Sequence, residues 1–185
     1  MTIHSDVRSY YAAEWGAPDR EAAFQKDAFT VGVLKWRSSD ATQGVNFYAT
    51  VGASDYPLPG RQGEHRREFF AALTPEFDDI ASALARLGIY SQLTGDEMSA
   101  GHTYRATQGL TEGSRLAGFM ILEPMDNYPA PVSLTDGRHV EFLMAVPVYG
   151  DELDYAASNG VDGLLEKMEE TKAPLWNPYR NSIFG

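Results

Sequence analysis

The sequence predicts an α+β fold: a central mixed, mostly antiparallel sheet flanked by helices. Three observations lead there. The periodic segments run helix, strands, helix, strands, helices, without the regular alternation of a doubly wound fold. Two near-continuous apolar runs, 115–123 and 140–149, have the character of core strands. Finally, 43% hydrophobic and 12% aromatic residues over 185 positions let one domain, spanning 1–185, bury a sizeable core.

The elements follow in order. Residues 5–16 predict a helix, with Ser5 or Asp6 as cap, Val7, Tyr10, Tyr11 and Trp15 near helical spacing, and Gly16 as stop. Pro18 begins a linker. Residues 28–36 and 45–51 are β-branched and aromatic and predict two strands that pair as a hairpin across 38–44. Residues 52–60 are rich in turn formers and predict a loop. A third strand is expected over 65–73. Thr74 then reads as a helix cap and Pro75 as the first helical residue, with Phe77, Ile80, Ala81, Leu84 and Leu87 on one face and Gly88 at the end.

Glycines at 95, 101, 109 and 113 predict a long loop over 95–114. Residues 127–131 form another. Pro147 either ends the 140–149 strand early or marks a sheet edge. Residues 151–158 and 161–171 predict two helices, the first with Asp151 and Glu152 in its opening turn. The tail around 176–180 is irregular.

Composition restricts function. Fifteen basic against 26 acidic residues give a net charge of −11, which repels a phosphate backbone and attracts basic partners. No nucleic-acid partner is therefore expected. The absence of cysteine excludes disulfides, cysteine nucleophiles and thiolate metal sites, and fits a reducing compartment. The N-terminus has no basic start followed by an apolar run, and no window of about 18 apolar residues occurs. A soluble cytoplasmic chain with no membrane partner is expected.

Catalytic signals are weak. His4, His65, His102 and His139 share no short metal-ligand spacing, so neither metal nor cofactor is expected. Nucleophile elbows, phosphate-binding loops and dinucleotide turns do not occur. The acidic neighbours Asp78-Asp79, Asp96-Glu97, Asp151-Glu152 and Glu169-Glu170 read as solvated faces, because adjacent residues on a helix do not face one another. One enzymatic alternative, a hydrolase, would use His102 with Asp96 or Glu97 in the long loop. Tyr128, Trp176 and Tyr179 fall in expected loops, where aromatics serve either as interface anchors or as satellite core.

The C-terminal third carries a resemblance. Glu141–Leu153 gives a buried strand running into an acidic Glu-Leu helix start; Asn159-Gly160 and Leu164-Leu165 follow. Upstream, in the same order, stand Tyr48–Asp55 with its Gly-x-Ser-Asp ending, Arg67–Leu73 with Glu68, and the Gly101-His102 loop. Together these residues resemble the suppressor of fused domain family over about 1–182. At the end of the chain Asn177 stands where the family carries an acid.

The resemblance implies a suppressor-of-fused-like fold and protein binding by strand addition, where main-chain hydrogen bonds supply affinity and side pockets supply specificity. The chain is similar to bacterial stand-alone members that resemble immunity proteins, so the expected partner is a protein, specifically a basic toxin neutralised by direct binding. The alternative is a cytosolic adaptor that sequesters an endogenous protein. The resemblance implies acidic partner contacts in the loop after 115–122, where this chain has Glu123 and Asp126; Tyr128, Asp55 and Tyr56 are the other expected partner-binding residues.

Overall fold

The structure is a computed structural model that describes residues 3–59, 65–134 and 136–185. Gly60, the last residue of one expected loop, lies outside the described residues. Helix α1 (Ile3–Trp15) precedes strands β1 (Arg20–Lys26), β2 (Phe29–Trp36), β3 (Asn46–Val51) and β4 (His65–Leu73). Helices α2 (Ile80–Gly88) and α3 (Tyr90–Thr94) follow, then β5 (Thr103–Arg105) and β6 (Leu116–Leu122). A 3₁₀ turn, β7 (Val132–Ser133), β8 (His139–Tyr149) and α4 (Gly150–Glu170) complete the chain.

All eight strands belong to one sheet, in the order β1-β2-β3-β4-β8-β6-β5, with β7 beside the start of β8. Every pairing is antiparallel except β4 with β8. The expected mixed, mostly antiparallel sheet is therefore present, and so is the hairpin of β2 and β3.

The pleat distributes side chains between two faces. Val31, Val33, Phe69, Ala71, Leu143 and Ala145 join Ile80, Leu84 and Leu87 of α2 in one cluster. On the opposite face Leu34, Trp36, Phe47, Phe70 and Phe142 meet Val7, Tyr11 and Trp15 of α1. Further along that face, Met120, Val146 and Val148 pack against Leu153, Val161, Leu164 and Met168 of α4. Helix α2, with the short α3 beside it, covers one face, while α1 and α4 share the other.

Several local expectations need correction. Helix α1 already includes Ile3, which is buried at i−4 from Val7, so Ser5 and Asp6 sit inside its first turn rather than at the cap. Gly16 does end it, at φ +78° with its N–H on Ala12 O at 3.0 Å. The expected linker after Pro18 contains β1, a mostly exposed edge strand. With no buried side to alternate against, β1 leaves little periodic trace in the sequence.

Thr74 and Pro75 do not open α2, which starts at Ile80. The intervening residues are pinned to the sheet instead. Phe77 N–H donates to Tyr48 Oη at 3.0 Å, Tyr48 Oη donates to Asp78, and the buried Lys35 ammonium reaches both Asp78 and Glu76. Burial raises the Asp78 carboxyl, but the Lys35 and Tyr48 hydrogen bonds outweigh that and hold it below its ordinary value.

The 95–114 segment is not wholly a loop, because Thr103–Arg105 pairs with β6. Gly118 makes that approach possible: a Cβ there would lie 1.9 Å from Tyr104 O. The two expected C-terminal helices exist, joined through non-helical Gly160 at φ 79° and ψ 167°. Pro147 does not shorten β8, which continues to Tyr149. Its carbonyl points away from β6 and accepts Arg180 Nη2 at 3.4 Å, so its nitrogen also faces a gap and no ladder hydrogen bond is lost.

Candidate protein-binding site

That gap is the notable feature of the sheet. Strands β4 and β8 pair in register from His65 and His139 to Phe70 and Met144. Beyond this point β4 stays with β3 as far as Leu73, and β8 stays with β6 as far as Tyr149. The two wings of the sheet diverge, and a groove of about 390 Å³ opens between them. Phe47, Phe70, Ala72, Met144 and Val146 line its floor; Met125, Asp126, Tyr128, Leu175 and Trp176 line its walls.

Two segments frame the groove, each held from beneath. The Met125–Asn127 turn contains Asp126 at φ 54°, a left-handed conformation that Asp tolerates better than most residues. Tyr128 beyond it accepts a hydrogen bond from the Trp15 indole, and burial raises its phenol above the ordinary value. On the other wall the C-terminal tail bridges the diverging strands. Thr74 N–H donates to Trp176 O at 2.8 Å, while the Tyr149 hydroxyl donates to Arg180 O.

The tail is fixed by an ion pair that the sequence reading missed. Glu152, expected on a solvated face, is fully buried, and its carboxylate receives Arg180 Nη1 and Nη2 at 2.6 and 2.7 Å. Tyr149 N–H and Ile183 N–H supply two further donors at 2.9 and 3.1 Å. With both oxygens doubly satisfied, the tail docks in one position. What it presents outward is apolar: Trp176 is 55% exposed, and Met125 across the groove is 73% exposed. Large side chains this exposed beside an apolar groove mark a surface suited to another molecule.

The expected partner-binding residues divide into two groups. Asp126 and Tyr128 line the groove, and Glu123 is exposed three residues before Asp126 in the same connection. Asp55 and Tyr56 lie elsewhere. Asp55 pairs with His4 near the start of α1 at 3.3 Å, whereas Trp15 at its end holds Tyr128. The helical rise separates those positions by ~17 Å. Tyr56 is engaged structurally, accepting Thr30 N–H at 2.9 Å and meeting Phe29 edge-on. Trp176, read from sequence as anchor or satellite core, is exposed on the groove wall.

Of the residues of the hydrolase alternative, His102 and Glu97 use their side chains to hold the loop, and the exposed Asp96 contributes its backbone. His102 Nδ1 accepts Ser99 N–H at 3.3 Å. Glu97 pairs with Arg67 at 2.7 Å and accepts the Ser99 hydroxyl at 3.0 Å. Asp96 N–H donates to Thr94 Oγ1 at 3.1 Å. Among the described residues, no helix is long and apolar enough to cross a membrane.

Comparison with known proteins places this architecture. A suppressor of fused homologue from Neisseria gonorrhoeae FA 1090 superposes with a TM-score of 0.69 at 20% identity, over 98% of this chain and 96% of that one. The Sufu–Fu complex gives 0.68 at 16% identity, over 98% and 91%. Drosophila Suppressor of Fused gives 0.65 at 17%, over 99% of this chain but 50% of that one. No curated protein sequence matches the chain. The family model described as Suppressor of fused protein (SUFU) matches residues 27–181, and the chain belongs to that family.

Proposed function

We propose that this chain, acting as one cytoplasmic domain, neutralises a toxin by seating a basic segment with apolar side chains in the groove between its sheet wings. The observation that carries this reading is the groove, with exposed Met125 and Trp176 on facing walls. The charge supports the choice of occupant. Asp126 lies on the groove wall with Glu123 nearby, and the whole chain carries −11, a field that accelerates encounter with a basic protein. A diverging pair of strands also suits an extended occupant, since it flanks the segment with sheet backbone.

The test pairs the chain with basic toxins encoded beside its gene. Co-expression is expected to restore growth, with direct binding that weakens as salt is raised. Trp176→Ala is expected to weaken binding tenfold or more, about 1.4 kcal/mol or above, by removing an anchor. Asp126→Asn preserves the turn while removing charge, and its smaller loss is expected to shrink further at high salt. Failure of the parent chain to protect against any such toxin would overturn the reading.

Sequestration of an endogenous protein is the second reading, favoured by the likeness to a Sufu solved in complex with Fu. A stable host partner bound at the same groove, without any protection against toxin, would establish it.

A further inference from the structure

We propose that His65, His139 and Glu141 bind one divalent transition-metal ion, Zn²⁺ or a close analogue, on the α2 side of the sheet. His65 is far in sequence from His139 and Glu141, which is why spacing rules find no metal motif. The parallel pairing of β4 and β8 assembles them. His65 stands opposite His139, and Arg67 stands opposite Glu141 two positions on, with all four side chains on one face.

The geometry is close to a coordination sphere. The imidazole centroids lie 4.2 Å apart, edge to face. Glu141 Oε1 is 3.7 Å from His65 Nδ1 and 3.8 Å from His139 Nε2, and the three ligand atoms fall within 4.8 Å of one another. Tetrahedral zinc with bonds of ~2.0–2.1 Å spaces its ligand atoms ~3.4 Å apart. Small side-chain rotations cover the difference. His65 Nδ1 is itself buried and makes no hydrogen bond among the described residues, a state that normally calls for a partner.

The surroundings support a cation. Arg67 Nε holds Glu141 Oε2 at 3.2 Å, which turns Oε1 toward the imidazoles in the manner of an outer-shell orienting group. Arg67 also pairs with Glu97 at 2.7 Å, so one guanidinium is shared by two carboxylates and the three side chains together carry a net negative charge. Each of the three side chains is about one third exposed, so an ion has access and a water can complete four-coordination.

The test uses the full chain after chelator treatment. Calorimetric titration with ZnCl₂ is expected to show one equivalent bound, and CoCl₂ is expected to give the visible absorption of a tetrahedral site. His65→Gln and His139→Gln, at partly exposed positions, are each expected to weaken Zn²⁺ binding at least tenfold, while His102→Gln leaves it unchanged. On the unmutated chain, Zn²⁺ is expected to protect His65 and His139 from acylation by diethylpyrocarbonate, mapped by mass spectrometry. The proposal is overturned by any of three results: no saturable binding, binding that survives both glutamine variants, or protection confined to His4 or His102.

Discussion

Glu68 in the middle of β4 and Glu152 in the first turn of α4 are both fully buried carboxylates, yet they are satisfied in different ways. Glu68 is surrounded by neutral donors. Its Oε1 accepts Gly52 N–H at 2.9 Å, Ser54 N–H at 3.0 Å and Ser54 Oγ at 2.6 Å, and its Oε2 accepts Thr50 Oγ1 at 2.6 Å. Glu152 faces the Arg180 guanidinium through two parallel hydrogen bonds. One carboxylate shapes a short loop after β3, and the other fastens the last ten residues to the body of the protein. Neutral donors can rearrange around a change of protonation or an amide, whereas a buried guanidinium cannot.

The largest test of that contrast is Arg180→Ala. Removing one partner of a buried ion pair leaves an uncompensated charge, and a loss of ~3–5 kcal/mol is expected in urea unfolding. Because Arg180 holds the segment that carries Trp176, the same variant is expected to abolish partner binding at the groove. Retained binding at full strength would show that the tail wall is dispensable.

Glu152→Gln is the next step down. Both carboxylate oxygens meet only donors, so whichever one becomes NH₂ points at an N–H group and leaves donors unmatched. A loss of ~2–3 kcal/mol is expected by chemical denaturation, again with weakened groove binding. A loss no greater than that of the corresponding Glu68 variant would erase the distinction between the two sites.

The same contrast explains what the sequence could reveal. The strands β6 and β8 announce themselves as near-continuous apolar runs, α1 by its stripe at helical spacing, and the β2–β3 hairpin by two β-branched and aromatic runs around a turn. Edge strand β1 is mostly exposed on both faces and β5 is three residues long, so neither carries such a period. Asp126 was expected from the family resemblance, whereas Tyr128 and Trp176 were visible as loop aromatics beside prolines. The groove itself was not legible, since it depends on where β4 and β8 separate. Glu152 was misread because its amphipathic position says nothing of Arg180, which lies 28 residues further along the chain. The pairing of His65 with His139 was hidden for the same reason: only the sheet register brings them together.

The smallest expected effect is at Glu68, and pH separates it from ordinary destabilisation. Burial raises the Glu68 carboxyl above its ordinary value, an effect its four hydrogen bonds only partly offset. The folded state therefore holds the proton more tightly than the unfolded chain. The resulting stability is fully present below the unfolded value near ~4.3 and is lost as pH rises through the folded value. Glu68→Gln cannot ionise, so this loss is expected to vanish from its stability profile. At neutral pH the variant is expected to cost ~1 kcal/mol or less, because Thr50 Oγ1 can accept from the new amide while donating to Phe69 O, 3.2 Å away. Urea midpoints across the acid-to-neutral range check both points. A parent and a variant whose stabilities run parallel over that range would mean that Glu68 is ionised as easily inside the protein as in water.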